Sequence, residues 1–212
     1  MSYEKIVNFF SNEQGYRFSR WNKPIAPVVF GVDDNTLEAI KMGFTEVISL
    51  TSLSMSDVDV DLGANFMVFF CADWLELKSV PDLNKLVPKL ADLLVILDKK
   101  NANQYRVFSF DKNGAITLCI LILKYDRELA SVSVQTLSMS QMLKSILLWS
   151  PNAFVSESPL EVGEKNNFCR VKLFYKALLR ASYDINLPDY SRDESHALRL
   201  DARVRKYIIG KK

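Results

Sequence analysis

The chain has one histidine, His196, and it is the residue best suited to act as a general base. It follows Asp193 and Glu194 in the first turn of a predicted helix, and an unperturbed imidazole titrates near neutral pH. Its nucleophile would have to be Cys119, Cys169 or a serine, and the spacing selects none of them. The alternative is a histidine on the helix surface or at the helix start, with no chemical role.

Ser140 and Lys144 form a second possible hydrolase pair, because residues four apart share one face of a helix. A desolvated lysine can deprotonate a nearby serine. A lysine at this spacing is also the ordinary exposed residue of an amphipathic helix. We therefore predict that Lys144 is exposed and that the helix from Ser138 to Trp149 is a core element without catalytic residues.

Missing motifs exclude several further chemistries. A single histidine cannot form the H-E-x-x-H pair of a zinc protease, and the seven glycines form neither a G-x-G nor a G-x-x-x-x-G-K phosphate loop. Asp57, Asp59 and Asp61 alternate and could bind a hard cation, but they lack the glycine and closing glutamate of a calcium loop. We therefore favour a solvated acidic edge. We predict no metal and no cofactor.

Basic residues recur along the two predicted C-terminal helices. The spacing of three or four residues places each set on one face. Such faces could bind an anionic group or an acidic protein, or could simply be solvated. Because no aromatic residues interleave with them, we do not expect nucleic acid as the partner. The candidate residues are Lys172, Lys176 and Arg180, followed by Arg199, Arg203 and Lys206.

The elements that position these residues can be read from hydrophobic periodicity. The predicted helices cover Asn35–Leu50, DLNKLVPKLADLLVILD, Ser138–Trp149, Asn167–Tyr183 and Ser191–Ile209, after a short helix at the start. The predicted strands are PIAPVVFGV, NFMVFFC, QYRVFSF and AITLCILILKYD. The last two flank Asn113-Gly114, a strong hairpin signal. This order predicts one α+β domain over residues 1–212, with a mixed sheet flanked by helices and closed by the C-terminal helices.

Capping boxes mark three of the predicted helix starts. They are Asn35-x-x-Glu38, Ser138-x-x-Gln141 and Ser191-x-x-Glu194. In the stretch LLRASYDINLPDYSRDES, Pro188 is predicted to end one helix and Ser191 to cap the next. Asp184 or Asp189 should accept hydrogen bonds from backbone amides in the turn between them.

Composition limits the class of protein. The 212 residues are 49% hydrophobic and 25% charged, with a net charge of +2 that requires no polyanionic partner. Three widely spaced cysteines, Cys71, Cys119 and Cys169, are predicted to be small buried residues. The start of the chain lacks a signal peptide and the longest apolar run is too short for a membrane helix. We expect a cytoplasmic protein, or an exported one if a leader was removed.

Three segments together resemble a bacterial family, the domain of unknown function 2927. They are IVNFFSNEQGYRFSRWNKPI, DLGANFMVFF and FYKALLRASYDINLPDYSRDES. Members of that family are mostly secreted proteins or lipoproteins, with a layout similar to a zincin-like peptidase. The residues that match the family tail are Leu178, Leu179, Arg180, Ala181, Tyr183, Asp184, Leu187, Ser191, Arg192 and Glu194.

This chain departs from the family where catalysis would be expected. Relatives carry a helix with an acidic, histidine-containing opening after the long strand. Here the corresponding segment, residues 138–145, contains neither an acid nor a histidine. The resemblance therefore implies a degenerate member, a pseudoenzyme. We predict a non-catalytic protein that acts through an unknown protein partner; the alternatives are a hydrolase using His196 or the Ser140 and Lys144 pair, and a basic-surface binder of polyanions.

Overall fold

The computed structural model describes residues 3–56, 63–163 and 169–210. It confirms the predicted mixed α+β fold, but not the zincin-like layout, which stays a prediction. The elements up to residue 99 are α1 (Tyr3–Phe10), β1 (Ser11–Asn12), β2 (Gly15–Tyr16), β3 (Phe18–Ser19), β4 (Pro27–Phe30), α2 (Asp34–Ile48), β5 (Phe66–Cys71), a 3₁₀ helix (Trp74–Ser79), α3 (Leu83–Leu86) and α4 (Leu90–Lys99). They are followed by β6 (Gln104–Phe110), β7 (Ile116–Lys124), α5 (Arg127–Ala130), α6 (Val134–Ser145), β8 (Leu160–Val162), β9 (Cys169–Val171), α7 (Leu173–Ser182), β10 (Tyr190–Ser191) and α8 (Ser195–Ile209).

The central sheet has four strands in the order β4-β5-β7-β6. β4, β5 and β7 run parallel, while β6 pairs antiparallel with β7. The predicted hairpin between β6 and β7 is confirmed. Its Gly114 has a φ of +90°, and a Cβ there would lie 2.5 Å from the ring of Tyr190, so the turn requires glycine.

Alternate side chains of the sheet supply two separate cores. On one face, Val68 and Leu121 pack with α1, α2, α6, α7 and α8. On the other face, Phe69 and Ile120 pack with the 3₁₀ helix, α3 and α4. Pro88 lies between α3 and α4 and so separates two helices where the sequence allowed one kinked helix. The sheet is therefore covered on both faces.

The predicted start of α2 is wrong by one residue, and the predicted capping box does not form. α2 begins at Asp34, and its N-cap is Asp33, whose carboxylate accepts from the backbone amide of Thr36 at 3.0 Å. Asp33 takes the role expected of Asn35 because its backbone is extended, as an N-cap requires.

The predicted start of α6 is wrong by four residues. Ser133 is the N-cap and accepts from the backbone amide of Thr136 at 3.2 Å. Ser138 lies one turn inside the helix, where its hydroxyl donates to the carbonyl of Gln135 at 3.0 Å. Ser138 and Gln141 are therefore buried helical side chains and form no capping box.

The C-terminal helices are shorter than predicted. Cys169–Val171 forms β9 beside β8, so α7 begins at Leu173 rather than at residue 167. α7 ends at Ser182, six residues before Pro188, so the proline does not end it. Ser191 lies in β10, and α8 begins at Ser195, whose amide donates to Asp193 at 2.9 Å. The prediction that Ser191 caps α8 is wrong. The carboxylate of Asp193, and not the hydroxyl of Ser191, accepts the hydrogen bond from the first residue of the helix.

A buried arginine joins the start of the chain to the turn after α7. Arg20 donates from Nε to Asp189 at 2.7 Å and from its terminal nitrogens to the carbonyls of Ser182, Asp184 and Leu187 at 2.8, 3.3 and 2.9 Å. Asp184 in turn accepts from the amide of Asn186 at 2.8 Å, which confirms the predicted turn contact. This corner is therefore built from internal polar contacts.

The three cysteines are free and buried, as predicted. In the described part of the chain, no helix is long and apolar enough to cross a membrane. Asp57, Asp59 and Asp61 lie outside the described residues, so the acidic edge stays a prediction.

The contact between α2 and α6 depends on Gly43. A Cβ built there would lie 1.9 Å from Oγ and 2.9 Å from Cβ of Ser138. We expect Gly43→Ala to lower the free energy of unfolding by about 1–2 kcal/mol, because relief of the overlap separates the helices and outweighs the gain in helix propensity. Urea unfolding measures the loss.

Two further variants isolate that cause. Ser138→Gly removes both overlapping atoms, so the double variant should lose less stability than the sum of the two single changes. Gly210→Ala is the matched control, since its nearest contact is a carbonyl at 3.4 Å, and it should have little effect. Strictly additive losses would contradict the steric explanation.

Candidate functional site

A cavity of about 680 Å³ opens where the three parallel strands end. The chain leaving β4 turns into α2 on one face of the sheet, whereas the chain leaving β5 turns into the 3₁₀ helix on the other face. Divergence of neighbouring connections opens a crevice at the carboxyl ends of the strands, where ligands of open α/β sheets bind. The fold therefore creates this cavity through its connectivity.

The cavity walls are mostly apolar and come from the sheet, α2 and α6. Side chains of the sheet form the floor, and α2 and α6 form the sides, each through residues one helical turn apart. From the sheet come Val68, Phe70, Leu121 and Leu123; from α2, Thr36, Ile40 and Phe44; from α6, Val134, Leu137, Ser138 and Gln141.

The rim of the cavity is formed by the loops after β4, β5 and β7. Gly31 has a φ of +84°, and a Cβ there would lie 2.4 Å from the carbonyl oxygen of Phe70, so only glycine fits. Asp33 and Glu76 place two exposed carboxylates on the rim, and Tyr125 is also largely exposed. The rim is thus negatively charged.

Both rim carboxylates already cap backbone amides. Asp33 accepts from the amide and hydroxyl of Thr36 at 3.0 and 2.7 Å, and the Thr36 hydroxyl lowers the pKa of Asp33 most. Glu76 accepts from the amides of Ala72 and Asp73, both at 3.2 Å. These groups hold the loops in place while leaving their charge at the cavity entrance.

The polar side chains of the inner wall also have partners. Gln141 accepts from Arg106 of β6 at 2.6 Å, and the same guanidinium donates to Ser145 at 2.8 Å. Burial lowers the pKa of Arg106. Ser138 donates to its own helix. The wall therefore offers few unused hydrogen-bonding groups to a ligand.

Cys71 is the one cysteine that lines the cavity, and it is a poor nucleophile there. Its side chain is buried, and Sγ donates to the carbonyl of Leu123 at 3.7 Å. Burial raises the pKa of the thiol to about 11, so it stays protonated at neutral pH. Burial likewise raises the pKa of Cys119, to about 12, and that of Cys169.

His196 lies away from this cavity, among the residues that pack around β3. It is only 1% exposed, its Nδ1 shares a 2.9 Å hydrogen bond with the Tyr16 hydroxyl, and its ring centre lies 4.3 Å from that of Phe18. No hydrogen-bond partner of Nε2 occurs among the described residues. A solvent-borne substrate does not reach a ring buried in this way.

Ser140 and Lys144 also lie outside the residues that line the cavity. The prediction that Lys144 is exposed is wrong, because the side chain is half-buried. Burial, followed by the charge of Arg106, lowers the pKa of Lys144. Among the described residues, no group of three or more His, Cys, Asp or Glu could hold a metal ion.

The structure separates the six predicted basic residues. Arg180, Arg203 and Lys206 line one groove between α7 and α8, together with Asp184 and other neighbours. The other three lie outside that groove. Lys172 pairs with Glu157 at 3.1 Å, Lys176 is half-buried, and Arg199 is exposed.

Sequence reasoning did not find the cavity. The walls from α2 and the strands were predicted as apolar parts of a helix and of the sheet. Val134 and Leu137 of α6 lie before the predicted start of that helix, and Ser138 and Gln141 were predicted as its capping box. The signal in the sequence was a small residue in each helix, Gly43 in α2 and Ser138 in α6, since small residues allow two helices to approach closely. Comparison of the chain with models of protein families, with curated proteins and with solved structures gave no match.

Proposed function

We propose that this protein is a non-catalytic binding protein that holds an apolar small molecule between α2 and α6. The observation that carries this proposal is the cavity of about 680 Å³ with mostly apolar walls. Small-molecule sites are typically concave and apolar, with volumes of roughly 300–1,000 Å³. The position at the carboxyl ends of parallel strands supports the same conclusion.

The charge of the rim narrows the ligand class. Asp33 and Glu76 stand at the entrance, and among the described residues no lysine or arginine lines the cavity. An anionic head group would meet two carboxylates of like charge without a cation to compensate them. The ligand is therefore a neutral or cationic molecule with an apolar body, and a fatty-acid carboxylate is disfavoured.

The lining groups support binding rather than catalysis. Cys71 remains a protonated thiol, and the carboxylates of Asp33 and Glu76 are committed to backbone amides. The hydrolase alternatives use His196 or Ser140 with Lys144, which lie elsewhere. A protein partner and membership of the domain of unknown function 2927 family stay predictions, and the binding role depends on neither.

A pair of fluorescent probes tests the proposal. N-phenyl-1-naphthylamine is neutral, and 8-anilinonaphthalene-1-sulfonate carries nearly the same rings with a negative charge. We expect saturable binding of the neutral probe, and binding of the sulfonate about tenfold weaker because of the rim carboxylates. Fluorescence titration of the folded protein measures both affinities.

Substitutions that fill the cavity locate the binding site. Leu137→Trp and Val134→Phe add bulk inside it and should weaken binding of the neutral probe at least about tenfold, without loss of the folded state. Ile185→Trp is the matched control, because Ile185 is 92% exposed and lies outside the cavity. If Leu137→Trp and Val134→Phe both fold and both bind the neutral probe with unchanged affinity, the proposal is wrong.

A further inference from the structure

The groove between α7 and α8 concentrates positive charge on a concave surface. It has a volume of about 630 Å³. Its small residues leave the floor open, and three basic side chains surround that floor. The floor is formed by Ala177, Ala181 and Gly210, and the surrounding residues are Arg180, Asp184, Arg203, Lys206 and Tyr207.

Two of the basic side chains are held in place by their neighbours. Arg203 donates from Nε to Asp184 at 2.7 Å, and Asp184 is fixed in turn by the amide of Asn186. Arg180 lies over the ring of Tyr207, 5.4 Å from its centre, and donates to its hydroxyl at 3.4 Å. Guanidinium groups oriented in advance lose less conformational entropy when they bind an anion.

The groove carries more positive than negative charge. Arg180, Arg203 and Lys206 face one carboxylate, Asp184, and the ion pair with Arg203 lowers the pKa of that carboxyl, so it remains ionised. Among the described residues, neither Arg180 nor Lys206 forms an ion pair. Two cations therefore remain available to a ligand.

Among the residues that the structure describes, the positive surface is short. Towards the start of α7, Lys172 is neutralised by Glu157, which also pairs with Lys5 at 2.7 Å. On α8, Arg205 pairs with Asp201 at 2.7 Å. A nucleic acid is bound by a row of cations that follows its phosphates, whereas the described residues of this groove form one cluster.

We propose that this groove binds a small phosphate-bearing molecule, with its phosphate held by Arg180 and Lys206 beside the ion pair of Arg203 with Asp184. Arginine forks match phosphate oxygens in geometry, and lysine adds a point charge. The small side chains of the floor leave room for the remainder of the ligand. This groove shares no lining residue with the apolar cavity, so either proposal can be wrong while the other holds.

Calorimetric titration with inorganic pyrophosphate tests this site. We expect saturable binding that weakens as NaCl rises. Arg180→Gln and Lys206→Gln should each weaken it about tenfold, the loss expected for one charge-assisted contact. Arg199→Gln is the control: it removes the same charge from an exposed position of α8 outside the groove and should leave the affinity unchanged.

Three results would overturn the proposal. The first is no measurable pyrophosphate binding by the folded protein at low ionic strength. The second is an equal loss in the Arg199→Gln control, which would reveal a diffuse charge effect. The third is tighter binding of a single-stranded oligonucleotide that increases with its length, since that would indicate an extended polyanion surface.

Discussion

Replacing Arg20 with alanine should lower the free energy of unfolding by about 3–4 kcal/mol. The guanidinium is buried and donates to Asp189 and to the carbonyls of Ser182 and Leu187. Its removal leaves these carbonyl oxygens without a donor where water has little access. Asp189 is partly exposed, so water can replace part of its interaction with Arg20. The unpaired carbonyls therefore account for most of the loss of stability.

Urea unfolding of Arg20→Ala measures this loss, which corresponds to a fall in melting temperature of roughly 10 °C for a chain of this size. Arg170→Ala is the matched control: its ion pair with Glu161 has the same 2.7 Å length but is exposed, so it should cost about 1 kcal/mol or less. Arg20→Lys should recover little, because an ammonium cannot reach all four acceptors. Equal losses of free energy of unfolding in Arg20→Ala and Arg170→Ala would mean that the burial of Arg20 does not determine its contribution to stability.

Arg20 also shows which parts of this fold could be predicted from the sequence. The α+β class, the hairpin and the helices depend on periodicity and turn residues, which are local. The turn around Asp184 was predicted as architecture, but its partner Arg20 is more than 160 positions away in the chain, and no local pattern connects them. The predicted helix starts were wrong because several polar residues near each start can accept from a backbone amide. Asp33 and Ser133 cap α2 and α6, and Asp193 accepts from the amide of Ser195 at the start of α8.

The candidate cavity could not be predicted because its size depends on how closely the helices pack against the end of the sheet. Ile40, Phe44, Leu121 and Leu137 have the same pattern whether the helices meet the sheet fully or leave space at its edge. That space depends on the distance between α2 and α6, which the contact of Gly43 with Ser138 sets. The groove was predicted in part, since Arg180, Arg203 and Lys206 were all candidate anion-binding residues. The sequence could not show that these three share one groove, because that depends on how α7 packs on α8.

His196 should make the protein lose stability as the pH falls, and its pKa explains the direction. Burial, followed by the charges of Arg199, Arg20 and Arg203, lowers the folded-state pKa from 6.5 to about 4, while Asp193 opposes this shift. Between these two values the unfolded chain binds a proton that the folded protein does not. Stability from His196 is therefore complete above pH 6.5 and is lost as the pH falls towards 4, by about 2–3 kcal/mol.

Comparison with His196→Asn isolates this contribution from the carboxylates that also titrate in acid. Asparagine places an oxygen near the position of Nδ1, so it can accept from the Tyr16 hydroxyl, but it does not titrate. At pH 7 the variant should be less stable than the natural chain because the smaller side chain leaves a gap beside Phe18. The difference between their free energies of unfolding should shrink by about 2–3 kcal/mol between pH 7 and 4. Parallel pH profiles would mean that the ring is solvated and titrates near 6.5. A solvated His196 could then act as the general base that the sequence suggested.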